Sequence, residues 1–97
     1  MLTAKTLLLN SIVVQQPGNL VTNMDGEKVM LSVQNGKYYN LGEIGGLIWD
    51  LAKEPIEVHK MIETILLQYE VNHEDCTKHV LDFLESLKNE GLIKLAD

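Results

Sequence analysis

The stretch GKYYNLGEIGGLIWDL, residues 36–51, decides the fold. Gly36 follows an asparagine, and Asn-Gly predicts a tight turn before a short tyrosine-rich strand. Apolar residues then recur at helical spacing from Ile44 to Leu51, which predicts an amphipathic helix directly after the strand. A strand that ends a sheet leaves one edge free, so the stretch favours a surface that holds an extended peptide.

The composition fits one domain that spans residues 1–97. Hydrophobic residues make up 45 % of the chain, which is normal for a globular core, and no apolar run approaches the ~20 residues that span a bilayer. The N-terminal residues 1–16 predict an extended segment, because Asn10 and Ser11 interrupt a short apolar patch that no signal-type cleavage site follows. The single cysteine, Cys76, excludes an internal disulfide and favours a cytoplasmic location.

The charge of the chain disfavours nucleic acid as a partner. The formal net charge is −6, and lysine supplies every basic charge because the sequence contains no arginine. Nucleic-acid binders usually carry a basic stripe that neutralises phosphates, and arginine is their usual bidentate reader of guanine. We therefore expect no nucleic acid and no membrane among the partners.

Residues 19–41 predict a three-stranded antiparallel meander. Asp25-Gly26 and Asn35-Gly36 are hairpin signals, because glycine takes a positive φ without steric cost. For the second hairpin a loop of residues 34–36 pairs Leu31 with Tyr39 and Val29 with Leu41. That register collects apolar side chains on one face, so we expect it.

Three amphipathic helices are predicted between residues 42 and 90. Pro55 suits the first turn of the second helix, about residues 56–69, and Asn72 predicts the N-cap of the third, which should end at a left-handed Gly91. The expected fold class is α+β and winged helix-turn-helix-like: a three-stranded antiparallel sheet followed by three helices. The apolar stripes that support the helices are Ile44, Leu47, Ile48 and Leu51 in the first; Val58, Met61, Ile62, Ile65, Leu66 and Tyr69 in the second; and Cys76, Val80, Phe83, Leu84 and Leu87 in the third.

No pattern in the chain predicts catalysis, a metal or a cofactor. His73, Cys76 and His79 have a spacing that suggests a metal, but positions 73 and 79 lie about 240° apart on a helix and cannot converge on one ion. Cys76 with His59 or His79 lacks the oxyanion donors of a thiol nucleophile, and Cys76 lies on an apolar stripe. We therefore expect a non-enzyme with no catalytic residues.

Tyr38 and Tyr39 leave two interpretations open. Aromatic residues are common in strands, so the pair is explained by β-propensity with Tyr39 in the core. The same pair is explained by a docking edge whose rings line pockets for a bound peptide.

The order and spacing of several segments resemble the PqqD-like family of precursor-recognition proteins. The resemblance rests on Val29-Met30-Leu31, Tyr38-Tyr39-Asn40-Leu41, Ile48-Trp49-Asp50-Leu51 and the run DFLESLKNEGLI from residue 82 to 93, and it covers about residues 17–95. The chain is most similar to the stand-alone recognition proteins of lasso-peptide pathways. It departs from the family at Leu41-Gly42, where Leu-Asn is common, and at residues 53–55, where many members carry Asp-Gly.

The resemblance implies the site and the partners. A leader peptide of a ribosomally made precursor would add as an antiparallel strand beside the third strand, against the third helix, and a separate leader peptidase or other maturation enzyme would receive it. Lasso leaders commonly carry a Tyr-x-x-Pro motif. The peptide-binding residues implied by the resemblance are Lys37, Tyr38, Tyr39, Asn40, Leu41, Cys76, His79, Val80, Phe83 and Leu84.

Two alternative functions stay open. A PqqD-type chaperone for a radical SAM peptide-modifying enzyme would differ only in its client. A winged-helix DNA-binding regulator would share the fold, but the segment 73–90 carries five acidic residues and two lysines, for a net charge of −3. The apolar segment 7–14 is expected to cap the far edge of the sheet or to swap into a neighbouring chain.

Overall fold

The structure is a computed structural model that describes residues 7–25 and 27–96. Within these ranges the chain forms strands and helices that alternate only partly along the sequence, and the helices follow the longest strands. The elements, in chain order, are β1 (Ile12–Gln15), β2 (Asn19–Met24), β3 (Glu27–Ser32), β4 (Lys37–Asn40), α1 (Gly42–Leu51), β5 (Ile56–Glu57), α2 (Val58–Gln68), α3 (His73–Asn89) and β6 (Ile93–Leu95).

The α+β prediction is confirmed. Strands β2, β3 and β4 form an antiparallel sheet in that order, and three helices follow. The first hairpin places Met24 opposite Glu27 and Asp25 has a φ of 54°, as a tight turn requires; Gly26, the other predicted turn residue, lies outside the described residues. Because β4 is last in the order, one of its edges is unpaired within the sheet.

The predicted register of the second hairpin is wrong by one residue. Tyr39 lies opposite Met30, and Tyr38 lies opposite Leu31. The loop is longer than expected because Ser32 closes it: the Ser32 carbonyl accepts from Gly36 N–H at 2.8 Å and its hydroxyl accepts from Asn35 N–H at 3.1 Å. The predicted register was chosen because it placed the apolar residues on one face, but in the structure both faces of the sheet carry apolar residues.

The shifted register decides which face of the sheet is buried. Met30 is 0 % exposed and Tyr39, on the same face, packs against the core. Val29, Leu31 and Tyr38 therefore share the outer face, because side chains alternate along a strand. Tyr38 is 75 % exposed. The expectation that Leu31 and Val29 share the core face with Tyr39 is thus corrected.

A second, smaller sheet was not predicted. In it β1 lies between β5 and β6 and pairs antiparallel with both, with Val13 opposite Ile56 on one side and Leu95 on the other. The prediction that the apolar segment 7–14 caps the far edge of the meander is therefore wrong for residues 12–14, which pair with β5 and β6 instead. Val13 is fully buried, so this strand is part of the core rather than an addition to the meander.

The helices match their predicted positions with one exception: residues 56 and 57 form β5 and α2 begins at Val58, so Pro55 lies outside the first turn that was predicted for it. Asn72 caps α3 as expected: its side-chain oxygen accepts from the N–H groups of Glu74 at 2.8 Å and Asp75 at 3.2 Å. At the other end Gly91 has a φ of 76°, and Leu92 N–H donates to the Leu87 carbonyl at 2.8 Å. This is the expected left-handed termination, and it places Leu92 in the core.

The helices and both sheets share one hydrophobic cluster. Trp49 belongs to it although it lies off the predicted stripe of α1, because α1 is buried on more than one side. The buried members are Leu7, Val13, Met30, Leu41, Ile48, Trp49, Ala52, Val58, Met61, Ile62, Ile65, Cys76, Val80, Leu84, Leu87, Leu92 and Ile93.

Replacing Asn72 tests the start of α3. Asn72→Ala removes the acceptor for two backbone N–H groups, so we expect the free energy of unfolding to fall by about 1 kcal/mol. Urea denaturation followed by circular dichroism measures the change. Asn72→Asp keeps the acceptor and serves as the control; an equal loss in both variants would contradict the capping role.

Candidate functional site

The free edge of β4 presents the backbone of two residues. Leu41 N–H donates to the Lys28 carbonyl at 2.9 Å, so this pair is hydrogen-bonded across β3 and β4. Hydrogen-bonded and non-hydrogen-bonded pairs alternate along an antiparallel ladder, so Tyr39 also bonds towards β3. The N–H and C=O groups of Tyr38 and Asn40 therefore point away from the sheet, where an added strand would find them.

A groove runs between this edge and the C-terminal half of α3. It encloses about 340 Å³ and is lined mainly by apolar and aromatic side chains. Leu41, at the end of β4, and Leu92, in the segment after α3, both line the groove. The lining residues are Tyr38, Tyr39, Asn40, Leu41, Phe83, Ser86, Leu87, Glu90 and Leu92.

Polar side chains connect the two walls at one end of the groove. The Tyr39 hydroxyl donates to Glu90 Oε1 at 2.6 Å, and Lys37 Nζ lies 3.7 Å from the same oxygen. Asn35 Nδ2 donates to the Tyr39 hydroxyl at 3.2 Å and to the Glu90 carbonyl at 3.0 Å. These contacts hold the β3–β4 hairpin to the end of α3 and so set the width of the groove.

The same contacts shift the titration of Glu90. The hydrogen bond from the Tyr39 hydroxyl, with a smaller contribution from the positive charge of Lys37, lowers the pKa of the Glu90 carboxyl from its usual value. Both stabilise the ionised carboxylate. Glu90 is therefore ionised at neutral pH while it accepts the Tyr39 hydroxyl.

Phe83 lies where α3 meets α1. A Cβ atom placed on Gly45 would come within 2.8 Å of Phe83 Cζ, so only glycine leaves room for the ring in this position. Gly46, the next residue, lies equally close to the Lys28 side chain of β3, so the two glycines of α1 make room for α3 on one side and for the sheet on the other.

The structure distributes the predicted site residues over three places. Tyr38, Tyr39, Asn40, Leu41 and Phe83 meet in the groove, and Lys37 lies at its polar end. Three others, Cys76, His79 and Val80, help to line a second pocket nearer the start of α3. Leu84 is fully buried in the core, so it offers no exposed surface to a peptide.

Sequence reasoning missed four residues of the groove. Ser86, Leu87 and Glu90 follow Phe83 at steps of three, four and seven, so the helical period alone places them on the same face. Leu92 carried no such signal, because its position depends on the turn after Gly91. Helical spacing extended from Phe83 would thus have recovered most of the helix wall.

The three residues whose spacing suggested a metal site, His73, Cys76 and His79, lie in two different pockets. His73 lines a different pocket with His59, whereas Cys76 and His79 lie together in the second pocket. Burial raises the pKa of the Cys76 thiol, which reduces its thiolate at neutral pH. Among residues 7–25 and 27–96, no three His, Cys, Asp or Glu side chains are placed to hold a metal ion.

The length and hydrophobicity of each helix show whether it could cross a membrane. In the part of the chain that the structure describes, every helix is too short or too polar to cross a bilayer.

Glu90→Gln tests the polar end of the groove. Because the folded pKa of Glu90 lies below its unfolded value, its carboxylate stabilises the fold above the unfolded pKa, and the contribution is lost as pH falls through the folded pKa. We expect the variant to have a lower Tm than the parent near neutral pH and the difference to vanish in acid. Thermal melts across pH measure this, with exposed Glu54→Gln as control; a pH-independent difference would refute it.

Gly45→Ala tests the packing of Phe83. The new methyl group must displace the ring, while the higher helix propensity of alanine, about 1 kcal/mol, offsets much of the cost in stability. The chain has one phenylalanine, so its ring signals in an NMR spectrum report the displacement without ambiguity.

Gly46→Ala is the matched control for that substitution. Its methyl group meets the flexible Lys28 chain at 2.9 Å rather than a ring, so we expect the Phe83 signals to stay in place. Unchanged Phe83 signals in Gly45→Ala would contradict the proposed fit.

Comparison with known proteins agrees with this architecture. The chain resembles the structure of TbiB1 in complex with the TbiA(beta) leader peptide, with a TM-score of 0.74 and 28 % identity over 87 % of this chain and 99 % of that one. It shares its fold with a lasso peptide synthetase B1 complexed with the leader peptide, at a TM-score of 0.73 and 22 % identity over 84 % and 96 % of the two chains.

Sequence comparison identifies the family. No curated protein matches the chain significantly. The family model described as coenzyme PQQ synthesis protein D (PqqD), however, matches residues 27–93, which include β3, β4, all three helices and both walls of the groove. The chain therefore belongs to the PqqD family.

Proposed function

We propose that the protein binds the leader region of a ribosomally synthesised precursor peptide as an added strand on β4. The observation that carries the proposal is the free edge at Tyr38 and Asn40 beside the groove that ends at Glu90. An extended peptide there satisfies backbone groups on its inner side and places alternate side chains in the groove. The TbiB1 structure, which holds a leader peptide, supports the same use of this fold.

The edge of β4 suits this role better than the opposite edge of the sheet. Strand β2 also has an unpaired edge, but its residues are mostly exposed and no helix forms a wall beside it in the described residues. A peptide on β2 would gain hydrogen bonds and contact only the exposed side chains of the sheet itself. On β4 it would also contact the wall that α3 forms.

The protein performs no reaction itself in this proposal. It holds the precursor extended and delivers it to a separate maturation enzyme in the cytoplasm. The similarity to TbiB1, which holds the TbiA(beta) leader peptide, favours a leader peptide as the ligand. The resemblance to the recognition proteins of lasso-peptide pathways favours a lasso precursor and a separate leader peptidase. The match to the PqqD family model favours, as the second candidate, a partner of a radical SAM peptide-modifying enzyme.

A DNA-binding regulator is disfavoured by the charge of the helix that would read DNA. Helix α3 carries Glu74, Asp75, Asp82 and Glu85 against two lysines, and Glu90 follows directly. That surface repels phosphate. A duplex DNA probe belongs in the binding assay for this reason.

Tyr38→Pro tests the added strand. Proline removes the N–H that points to the free edge but not a bond to β3, so we expect the sheet to persist and leader affinity to fall at least about tenfold. Fluorescence polarisation measures the Kd with two sets of labelled probes: the TbiA(beta) leader peptide, and leaders of precursor peptides encoded near the protein's own gene.

The matched control is Asn23→Pro on the opposite edge. Asn23 lies opposite Lys28, whose carbonyl bonds towards β4 instead of β2, so Asn23 N–H points away from β3, as Tyr38 N–H does on β4. We expect its Kd to equal that of the parent. Equal binding by all three proteins, or binding of duplex DNA in place of the peptides, would refute the proposal.

A further inference from the structure

The outer face of the β2–β3–β4 sheet carries apolar side chains that are exposed to solvent. Tyr38 is 75 % exposed, Leu20 63 % and Met24 58 %. They surround a shallow depression of about 250 Å³. A contiguous apolar patch of this kind marks a contact surface in a soluble protein. The residues that share the face are Leu20, Thr22 and Met24 of β2, Val29 and Leu31 of β3, and Tyr38 of β4.

The charges of the chain leave this outer face almost free. Among the described residues of the three strands, Glu27 is the one charged residue on it, and its carboxylate accepts from Asn40 Nδ2 at 3.0 Å. The other described acids lie in the turn after β2, at Asp25, or in the helices and the segments that join them. Exposed charges more than ~8 Å apart are largely screened at physiological salt, so the net charge of −6 does not keep two such faces apart.

Tyr38 connects the outer face to the peptide site. Its side chain belongs to the outer face and also lines the groove beside β4, while its backbone N–H and C=O point to the free edge. A peptide added there becomes the fourth strand of the sheet. Because side chains alternate along a strand, those of the peptide that do not enter the groove extend the outer face.

The area of the outer face decides when two copies can pair through it. Three strands ~4.8 Å apart, the longer ones of six residues at ~3.3 Å each, give a footprint of roughly 290 Å². Protruding side chains expose somewhat more area than the footprint, so two such faces bury roughly 700–800 Å² together, below the ~1,000 Å² that a specific interface needs. A fourth strand raises the area by about a third and brings the pair to about that threshold.

We propose that the peptide-loaded protein pairs with a second peptide-loaded copy through the outer face, with the two sheets packed face to face about a two-fold axis. The inference rests on the proposed function and adds a partner to it. The face is apolar and flat, so it is complementary to its own copy. An axis at right angles to the strands places Glu27 of each copy over the loop end of the other sheet, near residue 33, and so keeps the two carboxylates apart.

Peptide binding and pairing strengthen each other in this arrangement. Because the added strand enlarges the interface, the loaded protein should pair at least about tenfold more tightly than the free protein. By linkage, the leader should bind more tightly at protein concentrations where pairs form than where monomers prevail.

Sedimentation velocity of the full chain tests the pairing. The protein is run from micromolar to near-millimolar concentration, alone and with a saturating amount of a leader probe whose binding is lost in Tyr38→Pro. We expect monomers in the free protein at micromolar concentration and a complex of two chains with two peptides at higher concentration of the loaded protein. A complex of one chain with one peptide at every concentration would overturn the inference.

Two glutamate variants locate the interface. Leu20→Glu places a charge within the outer face on β2, the strand farthest from the free edge of β4, so we expect pairing to be lost and the leader Kd at low protein concentration to stay unchanged. Asn23→Glu adds the same charge at an exposed position on the opposite face of the same strand, so pairing should persist. Loss of pairing in both variants, or in neither, would contradict the assigned face.

The outcomes distinguish the two proposals. Leader binding that depends on Tyr38 but leaves the protein monomeric would overturn the pairing and leave leader binding standing. Pairing that is equally tight with and without the leader would also overturn the inference, because the fourth strand would then contribute nothing. Failure of every leader probe to bind would overturn leader binding and, with it, the inference that rests on it.

Discussion

The close packing of Phe83 against Gly45 is the contact on which the proposed binding surface depends. It sets how near α3 lies to α1, and α1 follows β4 directly, so the same contact sets the distance from α3 to the free edge of the sheet. The hydrogen bond from Tyr39 to Glu90 fixes that distance again at the far end of the groove. The packing contact and the hydrogen bond therefore fix the distance between β4 and α3 in the free protein. A groove that is already formed lowers the free-energy cost of ordering the protein when a peptide binds.

Local signals predicted the parts of the fold that local chemistry determines. Asn72 and Gly91 bound α3 because a side-chain oxygen and a left-handed residue satisfy the backbone of a helix end wherever the helix lies. The groove residues on β4 came from the family resemblance, and helical spacing reaches Ser86, Leu87 and Glu90 from Phe83. The full burial of Leu84 could not be predicted in this way, because periodicity places a residue on a face but does not say which part of that face another element covers.

The errors lie where distant residues decide the outcome. The β3–β4 register depends on Ser32 closing the loop with two hydrogen bonds, and the rule of one apolar face could not detect that contact. The second sheet joins residues near both ends of the described chain through Val13, and strands as short as β5 and β6 carry almost no periodic signal. Register and sheet partnership are set by tertiary contacts, whereas element type is set mainly by local sequence.

A permanently free edge is a liability, and the sequence around β4 limits it. The strand has only four residues, so a chance pairing gains few hydrogen bonds. Lys37 and Glu90 place opposite charges at one end of the strand. Helix α3 lies beside the free edge of β4, so the edge strand of another sheet cannot pair with β4 without meeting the helix. Only a single extended chain narrow enough for the groove reaches Tyr38 and Asn40. The wall that supplies apolar contacts to a peptide thus also excludes the sheet-to-sheet pairing that an open edge invites.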